Sequence, residues 1–343
     1  MRVLVTGHEG FIGSVMVPML QEAGHEVAGM DTGFYRDCPF GQPSQGKPFA
    51  TIQKDIRDAA PADLAGYDAI IHLAALSNDP LGDLDADLTH AINHRATVRM
   101  AQLAREARVR RFVFSSSCSN YGASGDGLID EDAPFHPLTA YGISKVRAER
   151  DLLPLATDSF SPVLLRSATA YGVSPRLRCD IVLNNLTAHA VATGRILIKS
   201  DGTPWRPIVH VEDICRAFIA VLEAPREAIH GQAFNVGRTE ENFRVRDLAG
   251  IVRETVPGCS IEFAPGASPD TRNYRVDSSK IARVLPAFKP RWTAREGARQ
   301  LYAAFREARI TLEDIEGFRF RRIGQIKRLQ QAGRLDPSLR WRS

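Results

Sequence analysis

Tyr141 and Lys145, in Tyr141-Gly-Ile-Ser-Lys145, stand four residues apart. On a helix that spacing puts a phenol and an ammonium on one face. A free tyrosine holds its proton until about pH 10. A neighbouring cation favours the phenolate and lowers that value. The pair is therefore expected to serve as an acid/base near neutral pH. Such a group is useful beside a hydride carrier, because an alcohol being oxidised releases a proton as well as a hydride. A serine-rich run, Ser115-Ser-Ser117, precedes it at the end of an apolar segment.

The glycines supply a reason to expect that carrier. Gly7-x-x-Gly10-x-x-Gly13 falls between an apolar strand and a helical pattern. Glycine there permits a tight turn, close approach to a pyrophosphate and close helix–strand packing. The helix N-terminus then offers free N–H groups and a favourable dipole to the phosphates. A glycine-rich turn without a ligand is the plain alternative, which the position directly after the first strand disfavours. Phe11 and Ile12 sit inside this loop. Asp31 ends the next strand, where a carboxylate accepts from an adenosine ribose and repels a 2′-phosphate. This favours NAD over NADP, with Arg36 nearby pulling the other way. Asp55-Ile56 follows a third strand, and Asp55 either reaches the adenine or caps a turn. Leu73-Ala74-Ala75 closes a fourth strand with small residues that let backbone approach the cofactor.

These positions imply elements to hold them. Strands are expected at Arg2–Thr6, Glu26–Met30, Ala50–Gln53, Asp68–Leu73, Arg111–Ser116 and Pro162–Arg166. Helices are expected at Phe11–Ala23, Asp85–Ala107 and Leu138–Leu155, and Gly33–Pro48 reads as a loop. The alternation predicts an α/β fold, a Rossmann-type doubly wound parallel sheet with a smaller mixed α/β substrate domain. A cofactor domain over residues 1–170 is expected, with later segments returning to it. An interleaved substrate domain would span 171–300, and a helical basic tail 301–343. In the substrate domain, short strands (Ile196–Lys199, Phe234–Val236, Ser260–Phe263) alternate with helices (Ile181–Thr193, Val211–Glu223, Val245–Val256).

Composition bounds the function classes. The 343 residues are 44% hydrophobic and 24% charged, as in ordinary globular proteins. No apolar run reaches membrane-spanning length, and Met1-Arg-Val-Leu-Val carries no leader pattern, so a cytoplasmic location is expected. Cys38, Cys118, Cys179, Cys215 and Cys259 are scattered without metal-ligand spacing, so no metal is expected and buried reduced thiols are. The net charge of +4 is uneven. Residues 317–343 hold eight basic side chains and one acidic, a net +7, which leaves −3 for residues 1–316. The basicity belongs to the tail, and nucleic-acid binding is not expected.

Taken together, the motifs resemble the extended short-chain dehydrogenase/reductase family, in its NAD-dependent epimerase/dehydratase branch acting on nucleotide sugars. The resemblance covers residue 1 to about residue 300. It rests on Thr6-Gly-His-Glu-Gly-Phe-Ile-Gly13, His72-Leu-Ala-Ala75, Ser115-Ser-Ser-Cys-Ser-Asn-Tyr-Gly122, Tyr141-Gly-Ile-Ser-Lys145 and Ala170-Tyr-Gly172. Gly202–Asp213 and Phe234-Asn-Val-Gly237 also match. It implies that Tyr141 is the acid/base and that Lys145 lowers its pKa and binds the nicotinamide ribose. Ser117 would bond the reacting oxygen. Asn185, Arg206 and Arg272 would hold the nucleotide diphosphate, with Arg275 an equal rival to Arg272. Asn93 is either a family-type structural asparagine or an ordinary helix residue, and Asp213 orients a loop or caps a helix.

One departure bears on the reaction. Dehydratases of this branch carry Asp and Glu directly after the catalytic Ser/Thr, where Cys118 and Ser119 stand here. Decarboxylases usually carry a Glu in the same segment. The expected activity is therefore nucleotide-sugar epimerisation through a transient keto-sugar, at C4, with retained NAD. A keto-sugar reductase or dehydrogenase is the alternative, and a silent NAD-binding regulator or RNA-binding relative is the alternative of another class. A homodimer through 85–107 and 138–155 is expected. The tail, with Phe318, Phe320 and Trp341 among its arginines, is a solvated basic helix, a cover over the domain interface, a segment that packs on a neighbouring subunit, or a docking segment for an anionic partner.

Overall fold

The computed structural model describes residues 1–41, 46–268 and 272–342. Residues 42–45 of the expected Gly33–Pro48 loop lie outside these. Seven strands build the main sheet: β1 (Arg2–Thr6), β2 (Glu26–Asp31), β3 (Ala50–Gln53), β4 (Ala69–His72), β5 (Arg111–Ser117), β6 (Ser161–Ser167) and β7 (Ala233–Val236). Their order across the sheet is β7-β6-β5-β4-β1-β2-β3. Every neighbouring pair is parallel. The winding reverses between β1 and β4, so a crevice opens at the carboxyl ends of those strands.

Parallel sheets need cover on both faces, and every residue of β4 and β6 is buried accordingly. On one face Gly13–Glu22 and Val211–Glu223 bury Met16, Leu20, Ile214 and Phe218 against Val3, Val5 and Ile71. On the other, Thr97–Glu106 and Ala140–Leu152 bury Met100, Ala104, Ala148 and Leu152 against Leu4, Ile70 and Phe112. A third cluster centres on Leu186, Ile196, Ile208, Leu248, Leu301 and Phe305, away from the main sheet.

Three small sheets surround the crevice. Trp205–His210 pairs with Asn242–Arg244 and Thr169–Tyr171, Arg195–Ser200 with Ser260–Ser268, and Ala123–Ile129 with Asn273–Val276. The chain thus leaves the main sheet after β6, returns for β7, and leaves again.

The expected helix 85–107 is interrupted. Ala86–His90 and Thr97–Glu106 are α-helical, but Ala91–Ala96 forms a π turn. Buried Asn93 lies within it. Its Oδ1 accepts from Leu76 N at 2.8 Å, and its Nδ2 donates to Leu76 O at 3.0 Å and to Ser144 Oγ at 3.2 Å. Asn93 therefore ties the segment after β4 to the helix that carries Tyr141 and Lys145, which is the structural reading of that residue.

The tail is not a solvated helix. Leu312–Glu316 and Arg322–Gln331 are its helices. Phe320 joins the third cluster, while Ile326, Leu329, Leu335 and Leu339 join the β1–β4–β5 core. Buried Arg322 stacks 4.1 Å over the Tyr35 ring and donates to Arg176 O at 2.7 Å. The packing thus lays the tail against two of the chain's hydrophobic clusters. Fully buried Ile326 supplies a check. Ile326→Ala is expected to cost about 2–5 kcal/mol in urea denaturation, as buried aliphatic truncations do, whereas a tail in solvent would give almost nothing.

Candidate active site

Helix Ala140–Leu152 starts at Thr139, whose Oγ1 accepts from Gly142 N at 3.2 Å and donates to Asp79 Oδ1 at 2.7 Å. That start points Tyr141 and Lys145 at the end of β5. Ser117 is the last residue of β5 and caps the short turn Cys118–Tyr121. Its Oγ lies 2.7 Å from Ser119 Oγ. Ser117, Ser119, Tyr141 and Lys145 all line one cavity of about 500 Å³, with Ile12, Leu73 and Ala75 at its cofactor side.

A buried ion pair fixes this corner. Arg166 of β6 donates Nη2 to Glu149 Oε2 at 2.7 Å, and Nε reaches both carboxylate oxygens at 3.1 Å. Glu149 also accepts from Ser116 Oγ and from Asn120 Nδ2. Arg166 Nη1 donates to Tyr121 Oη at 3.0 Å and to Glu131 O at 2.8 Å. Cys118 is turned into this packing. Its Sγ donates to Arg166 O at 3.1 Å, and burial pushes its thiol far above the usual range. It does not line the cavity, whereas Ser119 does. Cys118 is the buried structural thiol, not an acid/base.

The electrostatics differ from the expectation that Lys145 lowers Tyr141. Burial pushes Tyr141 up to about 12, with the Ser117 hydrogen bond opposing it. Burial also drives Lys145 down to about 7. The Lys145 ammonium is engaged elsewhere. Nζ donates to Ser115 O at 2.6 Å, sits 4.5 Å over the Phe114 ring, and is 5.7 Å from the Tyr141 ring centre. Desolvation dominates both residues, and the ammonium is directed at Ser115 O.

The cofactor side is built around close approaches. Gly7 has φ +75°, and a Cβ there would meet Ala74 N at 2.8 Å. A Cβ at Gly13 would lie 2.3 Å from Gly7 O, and one at Gly10 3.1 Å from the same oxygen. Only glycine lets the turn, the β4 end and the helix start meet this closely. Asp31 Oδ2 accepts from Glu9 N at 3.0 Å and Oδ1 from Gly33 N at 2.8 Å, so its carboxylate faces the glycine turn. Arg36 is held by Glu9 at 2.8 Å and by Gln53 at 2.9 Å.

Other expected cofactor contacts are placed differently. Phe11 is buried against Ile181 and Val211, so only its backbone faces the turn. Ile56 is likewise buried in the core. The Asp55 carboxylate caps its own turn and is gripped by Arg57, with Nη2 at 2.7 Å. It lines a second cavity beside β2 and β3.

On the substrate side, Asn185, Arg206 and Arg272 line the main cavity. Asn185 Nδ2 donates to Cys179 O at 2.8 Å, Arg206 donates to the Trp205 and Arg272 carbonyls, and Arg272 is paired with Asp79. The rival Arg275 stacks 4.6 Å over the Trp205 ring and donates to Asp126 O, and it is not a lining residue. Asp213 accepts from Arg291 N and Trp292 N at 2.9 Å, so it orients a loop.

Sequence reading missed several cavity residues: Asn78, Asp79, Arg178, Asp180, Lys199 and Arg321. Arg178 Nε and Asp180 Oδ1 are 2.8 Å apart, and Asn78 Nδ2 donates to Asp180 Oδ2. Burial resists ionisation of Asp180, but Arg178 holds its carboxyl below the usual range. The alternating Arg176-Leu-Arg178-Cys-Asp180 just after Ala170-Tyr-Gly172 was the available signal. Among the described residues no cluster of three or more potential ligands could hold a metal, and no helix is long and apolar enough to cross a membrane.

Comparison with known proteins gives a consistent answer. The NAD dependent epimerase/dehydratase family matches residues 3–237. The UDP-glucose 4-epimerase of Mycolicibacterium smegmatis is 32% identical over 324 residues, covering 89% of this chain and 99% of that protein. The dTDP-glucose 4,6-dehydratase of Streptomyces griseus is 30% identical over 298 residues, covering 83% and 88%. The structure of MoeE5 in complex with UDP-glucuronic acid and NAD superposes with a TM-score of 0.78 at 29% identity, covering 90% of this chain and 100% of that one. The chain belongs to the NAD-dependent epimerase/dehydratase family.

Proposed function

We propose that the chain is a nucleotide-sugar epimerase that inverts C4 through a transient keto-sugar. The observation that carries this reading is the direction of the residues after Ser117. Ser119 faces the cavity, Cys118 faces the core, and neither is a carboxyl group. Dehydration needs a protonated acid for the leaving hydroxyl and a base at C5. Of the cavity's carboxyl groups, Asp180 is held ionised by Arg178, Asp79 is paired with Arg272, and Glu316 belongs to the tail helix Leu312–Glu316 and not to the β5 end that carries Ser117. The dehydratase relatives make dehydration the competing reading, and these pairings argue against it.

The Gly7–Gly13 turn and Asp31 would hold the cofactor, with Lys145 near its nicotinamide ribose. NAD, when bound, supplies a reversible hydride acceptor beside the sugar carbon. Tyr141 takes the proton of the C4 hydroxyl, and Ser117 holds that oxygen in reach. Asn185, Arg206 and Arg272 hold the diphosphate, leaving the sugar ring free to present either face. Arginine suits phosphate oxygens because its planar fork bonds two at once. The same tyrosine then returns the proton, so neither redox state nor proton count changes overall.

The central experiment incubates the purified protein with UDP-glucose, UDP-glucuronic acid and dTDP-glucose, without added cofactor. A C4-inverted sugar is expected. Formation of a 4-keto-6-deoxy sugar would replace this reading with dehydration, and, in a parallel assay with added NADH and a 4-keto nucleotide sugar, stoichiometric NADH consumption would replace it with reduction. Tyr141→Phe is expected to lower kcat by about 10²–10⁴. Its Kd for UDP, measured by calorimetry, should move by less than about threefold, since the phenol acts at the chemical step. A catalytically silent protein would show no loss of function.

The pH profile tests the acid/base. Burial pushes Tyr141 up to about 12, so the phenol holds its proton through the neutral range and only a small fraction is free to accept the hydroxyl proton. kcat/KM is therefore expected to rise about tenfold per unit from about pH 6 to about pH 9 without levelling. A flat profile over that range would contradict this assignment.

A further inference from the structure

We propose that Ser338–Trp341 is a latch that completes the adenosine end of the cofactor site and slows cofactor loss. This rests on the dinucleotide reading of the glycine turn. Beyond Asp31, at the carboxyl ends of β2 and β3, lies a separate cavity of about 650 Å³. Thr32, Gln53, Lys54 and Asp55 form its floor, while Leu339, Arg340 and Trp341 form the opposite wall. Asp31 and Gln53 are register partners, and Asp31 O accepts from Lys54 N at 3.0 Å. The cavity therefore begins where a ribose held by Asp31 would hand on to its base. Leu339 to Trp341 lie some three hundred residues from that floor in sequence, yet they supply the wall.

The wall is fastened by specific bonds. Trp341 Nε1 donates to Thr32 O at 2.7 Å, and the indole lies 5.7 Å from the Phe34 ring. Arg57 Nη1 donates to Ser338 O at 2.8 Å, and Nη2 reaches Leu339 O at 3.4 Å. Arg340 pairs with Asp58 and lies 3.4 Å from Asp55. Behind it, Asp336 accepts from Arg340 N at 2.8 Å, and Leu335 and Leu339 are anchored in the core. The anchor at Leu335 and Leu339 is apolar and buried, whereas the polar fastening of Arg340 and Trp341 is partly exposed, so those two side chains can release while the anchor stays in the core.

The latch suits a reaction that must keep its cofactor between two half-reactions. A nucleotide that exchanges freely would leave the keto-sugar stranded. An aromatic ring and a guanidinium facing a purine also give it planar surfaces to stack on.

The test uses the full-length protein. NAD is loaded, free NAD is removed, and release is followed in the presence of an NAD-hydrolysing enzyme, with mass spectrometry giving bound NAD. Trp341→Ala and Arg340→Ala are each expected to speed release about tenfold or more, because interface changes act chiefly on dissociation. Trp341→Phe, which keeps the ring and loses the N–H, should fall between. UDP binding, which uses the other cavity, should move by less than about twofold and reports that the variants are folded. Raising NaCl should speed release from the natural protein but not from Arg340→Ala, because partly exposed ion pairs are screened. Unchanged release in both alanine variants with UDP binding intact overturns the latch, and so does slower release, which would make the segment an obstruction. A natural protein that neither retains nor takes up NAD would instead overturn the dinucleotide reading itself, and the latch with it.

Discussion

The buried Arg166–Glu149 pair is the interaction on which the site depends. Two charges this deep are costly unless each lone pair and proton finds a partner. Here every guanidinium nitrogen and both carboxylate oxygens have one, and the partners are the residues that shape the corner. Ser116 and Asn120 bond Glu149, Tyr121 and the Glu131 carbonyl receive Arg166, and Tyr121 passes the chain to Asn235 of β7 at 2.8 Å. Three strand ends and the catalytic-side helix are thereby locked in one register. That register turns Cys118 inward and leaves Ser117 and Ser119 facing the cavity. The orientation of the residues after Ser117 is therefore rooted in an ion pair that does not itself line the cavity.

Much of the sheet was legible because parallel strands with helices on both faces are continuous apolar runs between turn signals. Ala50–Gln53 and Val211–Glu223 have the expected bounds, and the other strands and helices named from the sequence mostly shift by a residue or two. The misses have physical causes. The π turn around Asn93 depends on the Leu76 backbone, which no local pattern around Asn93 reveals. Helix Ala294–Glu307 announces itself only through the Thr293–Glu296 capping box, amid arginines that disguise its apolar stripe. Arg178 and Asp180 needed the third dimension. Each looks like a surface charge in sequence, and only their pairing makes a buried position tolerable.

The same logic governs the electrostatics of the Tyr141–Lys145 pair. Spacing on a helix predicts adjacency, and adjacency predicts a lowered phenol. Burial is invisible to spacing, and in this pocket it is the larger effect for both residues. The charge imbalance along the chain shows the converse. The tail's net +7 reads in sequence as a solvated basic helix or a docking segment, yet Arg319, Arg328 and Arg340 meet Asp314, Asp37 and Asp58 on the chain's own body.

Leu335 and Leu339 share a core with Leu4 and Ile70. During synthesis, the first strands therefore emerge long before the residues that seal one of their faces. Contacts between such distant segments carry a large loop-closure cost and slow the final collapse. Until Ile326, Leu329, Leu335 and Leu339 dock, the apolar face that Leu4 and Ile70 share with them lacks part of its cover, and that interval carries an aggregation hazard.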